Sequence, residues 1–191
     1  MQTARQIEIV ETALHLINDN GIQGLTIKNL SKKIGISEPA IYRHYENKVE
    51  ILVAVLDSFG SLLGEIKNDV EKQSGSLSKI EKMFTAFFTA FNENPSLVAV
   101  IFSEELFRNE PQLSQKTADI INRNIHFLGT VIEEGIQHGE IRNDISSEHL
   151  AIMVMGTLRL FVKKWQLSGF NFKLNSEGGK LIRSVISLIS K

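Results

Sequence analysis

Basic, imidazole and hydroxyl side chains are concentrated between Thr26 and Lys48. This segment carries five basic and two acidic side chains, a balance of plus three, in a chain whose net charge is −1. Cationic, imidazole and hydroxyl groups in such a cluster can donate hydrogen bonds to phosphate oxygens. Charge alone does not show that the cluster binds phosphate, because an ordinary solvated helix face can have the same composition. The elements that position these side chains carry the rest of the information.

The first of these elements is predicted to be a short helix that ends in a tight turn. Ile27, Leu30 and Ile34 are spaced three and four residues apart, so they share one helix face. The hydroxyl of Thr26 can accept a hydrogen bond from a free amide of the first turn. Gly35 follows where the chain must turn, a position at which positive φ is often needed.

A second short helix is predicted to follow at once. Ser37 is a candidate N-cap, and Pro39 gives up an amide that has no helical partner. Ile41 and Tyr45 are four residues apart and can pack inward against the first helix, which leaves polar side chains facing out. Two helices joined in this way form a helix-turn-helix, whose second helix enters the major groove of DNA.

The segment from Gly21 to Leu52 resembles the DNA-binding end of TetR-family transcriptional regulators. The features that carry the resemblance are Leu25-Thr26, Ile27, Leu30, Gly35-Ile36-Ser37, Ile41-Tyr42, His44-Tyr45 and Lys48. The family usually has Ala where Ser31 stands and Phe where Tyr45 stands, and both replacements keep roughly the needed size. The resemblance implies a three-helix head, completed by an amphipathic helix over residues 3–20, and a helical body.

Roles in DNA binding follow from this layout. The residues expected to face base edges are Ser37, Glu38, Pro39 and Ala40. The residues expected to hold phosphates are Thr26, Tyr42, His44 and Lys48. Arg43 can do either. Lys48 falls in the first turn of the next helix, which Asn47 and Glu50 open as a variant of the capping box. An ordinary surface lysine is the alternative at that position.

The whole chain is expected to be all-α, with about nine helices and no strands. We expect a DNA-binding head at residues 1–47, a connecting helix at 48–72, and an effector-binding and dimerisation body at 73–191. Ser78 with Glu81 is predicted to cap one body helix, and Ser146 or Ser147 another. The last helix is predicted over residues 176–190. The chain lacks cysteine and a long apolar span, so we expect a cytoplasmic protein without a membrane segment.

The last two helices, about residues 146–190, have apolar faces wider than one core easily absorbs. The family uses these helices to form a homodimer, and the resemblance implies the same here. One short reading helix contacts few base pairs, so two heads on a palindromic double-stranded site are needed for useful specificity. The alternative is that these apolar stripes are internal core.

The body is rich in phenylalanine, which is typical of small apolar ligand sites as well as of ordinary core. The candidate effector-binding residues are Phe84, Phe87, Phe88, Phe91, Phe102, Glu105, His126, Phe127, Met155 and Arg159. Arg159 stands in an apolar run, and a buried arginine needs a partner. That partner is either a ligand carboxylate or one of Glu104 and Glu105.

Catalysis, metal binding and cofactor binding find little support in the sequence. No glycine-rich phosphate loop, serine nucleophile motif or paired histidine motif is present, and the five histidines are scattered. We therefore expect a homodimeric DNA-binding regulator, a repressor released by an apolar or amphipathic effector. Two alternatives stay open: a DNA-binding head on a protein-interaction body without effector, and a helical enzyme.

Overall fold

The structure is a computed structural model that describes residues 2–103 and 110–191. Across these residues the chain is all-α, as predicted, and the only extended pairing is an isolated bridge between Ile141 and Ser190. The nine described helices are α1 (Ala4–Gly24), α2 (Ile27–Ile34), α3 (Glu38–Tyr42), α4 (Lys48–Glu71), α5 (Ser76–Glu93), α6 (Pro95–Ile101), α7 (Pro111–Gln137), α8 (Ser147–Leu167) and α9 (Leu174–Ile189).

The chain divides into two compact units, and the division falls within α4. The head unit comprises the chain up to Ser61 together with Asn94–Ala118, and the body unit comprises Leu62–Glu93 and Asp119–Lys191. The expected division placed the boundaries at residues 47 and 72. In the structure, Asn94–Ala118 belongs to the head unit because its helix α6 packs against α1. The functional division into head, connector and body remains a prediction.

In the head unit, α1 packs against both α2 and α6. Its buried side chains recur at helical spacing, and Ile9 and Ala13 are fully buried. Gly21, within the span of α1, has φ +67° and is non-helical, so the regular helix stops beside Asn20 as the sequence predicts. Glycine adopts this conformation at little cost.

In the body unit, α5 and α9 make the most extensive contact, and α9 also packs against α8. Phe84 and Phe88 of α5 are buried and meet edge to face, with ring centroids 6.0 Å apart. Gly178 of α9 lies against the ring of Phe88, so closely that an added Cβ would overlap the ring. The close approach of these two helices therefore depends on a residue without a side chain.

The predicted cap of α5 by Ser78 and Glu81 is wrong. The helix begins two residues earlier, at Ser76, after Gly75 with φ +81°. The amide of Leu77 in its first turn donates to the carboxylate of Glu140, at 3.3 Å. Because a carboxylate from a distant segment satisfies this end, the local serine is not needed as a cap.

The predicted cap of α8 is confirmed at Ser146, whose hydroxyl accepts from the amide of His149 at 3.3 Å. The last helix begins at Leu174, two residues before the predicted start. Each of the three prolines lies in the first turn of a helix, as expected from its missing amide. No helix in the described part of the chain has the length and apolarity that crossing a bilayer requires.

Candidate nucleic-acid interface

The turn between α2 and α3 has the predicted geometry. The Thr26 hydroxyl accepts from the amide of Asn29 at 3.1 Å, which caps α2. Gly35 is left-handed, with φ +81° and ψ +30°. The amides of Gly35 and Ile36 both donate to the carbonyl of Ser31, at 2.9 and 3.0 Å. These bonds close the C-terminus of α2 and set the direction in which α3 leaves.

The start of α3 differs from the prediction in one detail. Ser37 has the extended backbone of an N-cap, but its side chain makes no capping hydrogen bond. Its exposed hydroxyl is thus not engaged in capping α3. Pro39 lies in the first turn as expected. Ile41 and Tyr45 are both buried, and the amide of Tyr45 donates to the carbonyl of Ile41 at 3.1 Å, so the predicted inward face is confirmed.

The outer side of the same segment carries the side chains proposed to contact DNA. Ser37, Glu38, Pro39 and Arg43 are exposed, and Ala40 and His44 are half-buried. Tyr42 is 49% exposed despite its large ring. Thr26 is exposed at the start of α2, and Lys48 is half-buried at the start of α4. The nine predicted residues thus lie in one helix-turn-helix, the turn after it and the first residue of α4; contact with DNA stays a prediction.

Lys48 has a partner that the sequence did not indicate. Its ammonium donates to the carbonyl of Ile22 at 3.2 Å, just beyond the break in α1. Burial lowers the pKa of this lysine. An ammonium has three donors, so two remain for other acceptors. Lys48 therefore ties the start of α4 to the end of α1 and still has donors for a phosphate.

The start of α4 is also capped as a variant of the predicted box. The amide of Glu50 donates to the side chain of Asn47 at 3.0 Å. The Glu50 carboxylate accepts from the amide of Glu46, at 2.7 Å, rather than from Asn47. The cap fixes the chain reversal between α3 and α4 and so holds Lys48 at its position.

Asp19 modifies the electrostatics that the sequence predicts. Its carboxylate lies 3.0 Å from the ammonium of Lys33 at the end of α2. The hydrogen bond and charge of Lys33 lower the pKa of Asp19. Including Asp19 reduces the local balance from plus three to plus two. Because the two residues are fourteen positions apart, no local pattern indicated the pair.

The candidate effector residues fall into several environments. Phe84, Phe87, Phe88 and Phe91 are buried side chains of α5 in the body unit, and Phe102 is buried in the head unit. Glu105 lies outside the residues that the structure describes. The remaining candidates belong to the body unit: Phe127 and Met155, which are half-buried, and His126 and Arg159, which are exposed. The ring of Phe127 lies 4.8 Å from the ammonium of Lys67.

The expectation that Arg159 is a buried arginine is wrong. It lies on the exposed side of α8, whose solvent side also carries apolar residues such as Ile152 and Leu160. Apolar neighbours in sequence therefore did not mean a buried position. Among the described residues, no three His, Asp or Glu side chains are grouped so that they could hold a metal ion.

Comparisons with known proteins decide the family. Residues 9–55 match the family of bacterial regulatory proteins, tetR family, and residues 56–189 match the YsiA-like protein, C-terminal region. The chain belongs to the TetR family. It is therefore a DNA-binding transcriptional regulator, as its helix-turn-helix predicts.

Two curated relatives of this TetR-family chain match most of its length. The fatty acid metabolism regulator protein of Bacillus subtilis (strain 168) is 22% identical over 184 residues, which cover 96% of this chain and 94% of that protein. The nucleoid occlusion factor SlmA of Haemophilus influenzae (strain PittGG) is 24% identical over 178 residues, with 90% and 79% covered.

A solved structure has the same fold. The regulator FadR from Bacillus subtilis, crystallised in complex with stearoyl-CoA, superposes with a TM-score of 0.83 at 21% identity. The match covers 95% of this chain and 97% of that one. The likeness extends through the head and the body and concerns the fold alone.

Proposed function

We propose that this TetR-family regulator is a cytoplasmic homodimer that represses transcription by binding palindromic double-stranded DNA. The helix-turn-helix supports the DNA-binding part of the proposal. Its inner face is filled by Ile41 and Tyr45, while Ser37, Glu38 and Pro39 at the start of α3 face outward. Glu38 can accept from a cytosine amine, and the Pro39 ring can touch a thymine methyl group.

The assignment of base contacts is tested by selecting duplexes from a random pool with the intact chain. We expect a symmetric consensus whose half-sites are centred about one helical turn, roughly 34–36 Å, or a multiple of it apart. Repeating the selection with Glu38→Ala should change the preferred base at one position of each half-site. An unchanged consensus would show that Glu38 reads no base.

A second copy of the chain is the proposed partner of the last two helices. Leu160 and Leu167 of α8 are 72% and 77% exposed, and Leu188 of α9 is 69% exposed. Ile152 and Met153, nearer the start of α8, are 50% and 56% exposed. Several large exposed apolar side chains on two helices that pack together are typical of an interaction surface. One head reads few base pairs, so specific binding of a DNA site also favours a symmetric pair of heads.

Sedimentation of Leu160→Glu tests this pairing, since a buried carboxylate without a partner is costly. We expect the variant to sediment as a monomer at concentrations where the original chain is a dimer. Lys72→Glu, which makes a comparable acidic substitution in the turn after α4, should remain dimeric. A dimeric Leu160→Glu chain would place the interface elsewhere.

The proposed effector is a long-chain acyl thioester. Three observations support this class: the likeness in fold to FadR from Bacillus subtilis in complex with stearoyl-CoA, the match to a fatty acid metabolism regulator over 96% of this chain, and the apolar, aromatic interior of the body unit. Such an effector would favour a form of the dimer whose heads are wrongly spaced for DNA. Its differential affinity for the two forms would set the loss of DNA binding.

Titration of the protein–DNA complex with stearoyl-CoA tests the effector class. We expect release of DNA with stearoyl-CoA and none with free coenzyme A at the same concentration. Release by both compounds would point to headgroup recognition only. No release, together with no change in the thermal midpoint of the protein, would contradict the acyl thioester assignment.

A second candidate is a DNA-binding head whose body serves protein interaction without an effector. The match to a nucleoid occlusion factor over 90% of the chain favours it. The edge-to-face packing of Phe84, Phe88 and Phe161 is consistent with a body whose aromatic residues are core. The stearoyl-CoA titration separates the two, because this candidate predicts DNA binding that acyl thioesters do not change.

A further inference from the structure

A surface groove of about 610 Å³ lies beside the start of α8, within the body unit. Its lining comes from one side of α7 and from the first residues of α8, and includes Ile125, Gly129, Glu133 and Glu148. Glu133 and Glu148 are exposed. A third lining carboxylate, Glu134, already pairs with Lys79 at 2.8 Å. The α7–α8 groove is therefore acidic at its rim.

The exposed ridge of α8 begins at this rim. Five exposed residues follow at intervals of four: Glu148, Ile152, Gly156, Leu160 and Lys164. Such i, i+4 rows form the ridges along which helices pack. The row has an acid at one end, a base at the other, an aliphatic side chain on each side, and a glycine at its centre.

Gly156 marks where a second helix can approach most closely. Nothing lies within 4 Å of a Cβ built at this position, and its φ is not positive, so neither local packing nor backbone conformation requires glycine. Glycine inside a helix costs roughly 1 kcal/mol relative to alanine. Close approach of another backbone at the surface would account for it.

This row winds gradually around α8, so an antiparallel copy of α8 that crosses obliquely at Gly156, ridge along ridge, matches the row to itself. Glu148 and Lys164 are each eight residues from the crossing, or about 12 Å at roughly 1.5 Å per residue. Glu148 of one copy then faces Lys164 of the other, and Ile152 faces Leu160. A parallel pairing would instead set glutamate against glutamate and lysine against lysine, which is unfavourable.

We propose that the α7–α8 groove receives the C-terminal end of α8 from a second copy of this chain, with Glu148 paired to Lys164 of that copy. The proposal rests on the homodimer proposed above and gives it an orientation. Leu167, three residues beyond Lys164 and largely exposed, then lies beyond the start of the other α8 and over the groove of that copy. The dimer has two equivalent groove contacts, and both copies contribute residues to each.

Cross-linking tests the orientation, and the absence of native cysteine makes it specific. Chains carrying Glu148→Cys and chains carrying Lys164→Cys are mixed, allowed to exchange subunits, and treated with a short bis-maleimide. We expect cross-linked dimer from the mixture and its loss when either variant is treated alone. Each variant has a single cysteine, so a link within one chain is excluded.

The charge pairing is tested by measuring the dimer Kd. Because two symmetric pairs are lost at once, Lys164→Glu should raise the Kd about tenfold. Adding Glu148→Lys to the same chain should restore it, while Lys72→Glu, the same charge change outside α8, should have no effect.

The outcomes distinguish the antiparallel groove contact from the homodimer on which it rests. A dimer in which Glu148→Cys links to itself would overturn the antiparallel groove contact and leave the homodimer intact. A dimer whose Kd responds equally to Lys164→Glu and Lys72→Glu would also overturn it. A strictly monomeric original chain would refute the homodimer itself.

Discussion

At the scale of single residues, Lys48 joins structure to function. Its bond to the carbonyl of Ile22 fixes the start of α4 against the end of α1, and its remaining donors are proposed for a phosphate. The sequence indicated the phosphate role through the helix N-terminus. It did not indicate the Ile22 contact, because the two residues are 26 positions apart and no local pattern links them.

Lys48→Ala should weaken binding to every duplex and lower the slope of log K against log salt by about one, since one phosphate contact is lost. The measurement is DNA affinity at several salt concentrations, for the selected site and for a scrambled one. Lys72→Ala, outside the head unit, should leave the slope unchanged. If Lys48→Ala also leaves it unchanged, Lys48 holds no phosphate and acts only through Ile22.

Tyr45 gives the head a dependence on alkaline pH. Burial, and to a lesser extent the charge of Glu50, raises the pKa of Tyr45 above its ordinary value of 10.0. The folded state thus holds the phenolic proton more tightly than the unfolded state. The resulting stability is present below about pH 10 and is lost as the pH rises through the folded pKa.

Tyr45→Phe should remove this alkaline loss and change the free energy of unfolding at neutral pH by less than about 1 kcal/mol, because the hydroxyl makes only a long hydrogen bond. That bond reaches the carbonyl of Gln6 at 3.5 Å. Urea unfolding at pH 8 and above pH 10 measures the effect. Tyr42→Phe, at the other, exposed tyrosine, should keep the alkaline loss. Equal alkaline losses in Tyr45→Phe and the original chain would contradict the assignment.

At the scale of elements, the sequence was most informative where short-range bonds decide the structure. Thr26, Gly35 and Pro39 have the predicted roles because each acts within a few residues of itself. The start of α5 was misplaced because Glu140, more than sixty positions away, caps it. Arg159 was misplaced because α8 is apolar on its exposed side as well as its buried side.

The contact between α5 and α9 is another feature that no local pattern indicates. Gly178→Ala would drive a methyl group into the buried ring of Phe88. We expect it to lower the free energy of unfolding by about 1–3 kcal/mol, as overpacking does. Thermal or urea unfolding gives the value.

Gly179→Ala is the matched control, because its new Cβ would have only Arg183 nearby, at 3.9 Å. This substitution should stabilise α9 by about 0.5–1 kcal/mol, since alanine is the better helix former. Equal effects of the two substitutions would show that the α5–α9 contact tolerates a side chain and that the apparent close approach has no energetic consequence.

At the scale of the whole molecule, the net charge of the chain is too small to favour strong non-specific binding to DNA. Its net charge is −1, and the local positive balance of the helix-turn-helix falls to plus two when Asp19 is included. Phosphate contacts from one such head supply limited affinity. In the proposed homodimer, useful occupancy of a genomic site comes from two heads, joined by the exposed faces of α8 and α9.

The most direct test is an anisotropy titration at moderate ionic strength that compares the selected palindrome with a duplex in which one half-site is scrambled. We expect two chains on the intact palindrome and a loss of about a hundredfold or more in affinity when half of it is scrambled. Equal affinity for both duplexes, with one chain bound to each, would contradict recognition of a palindrome by a homodimer.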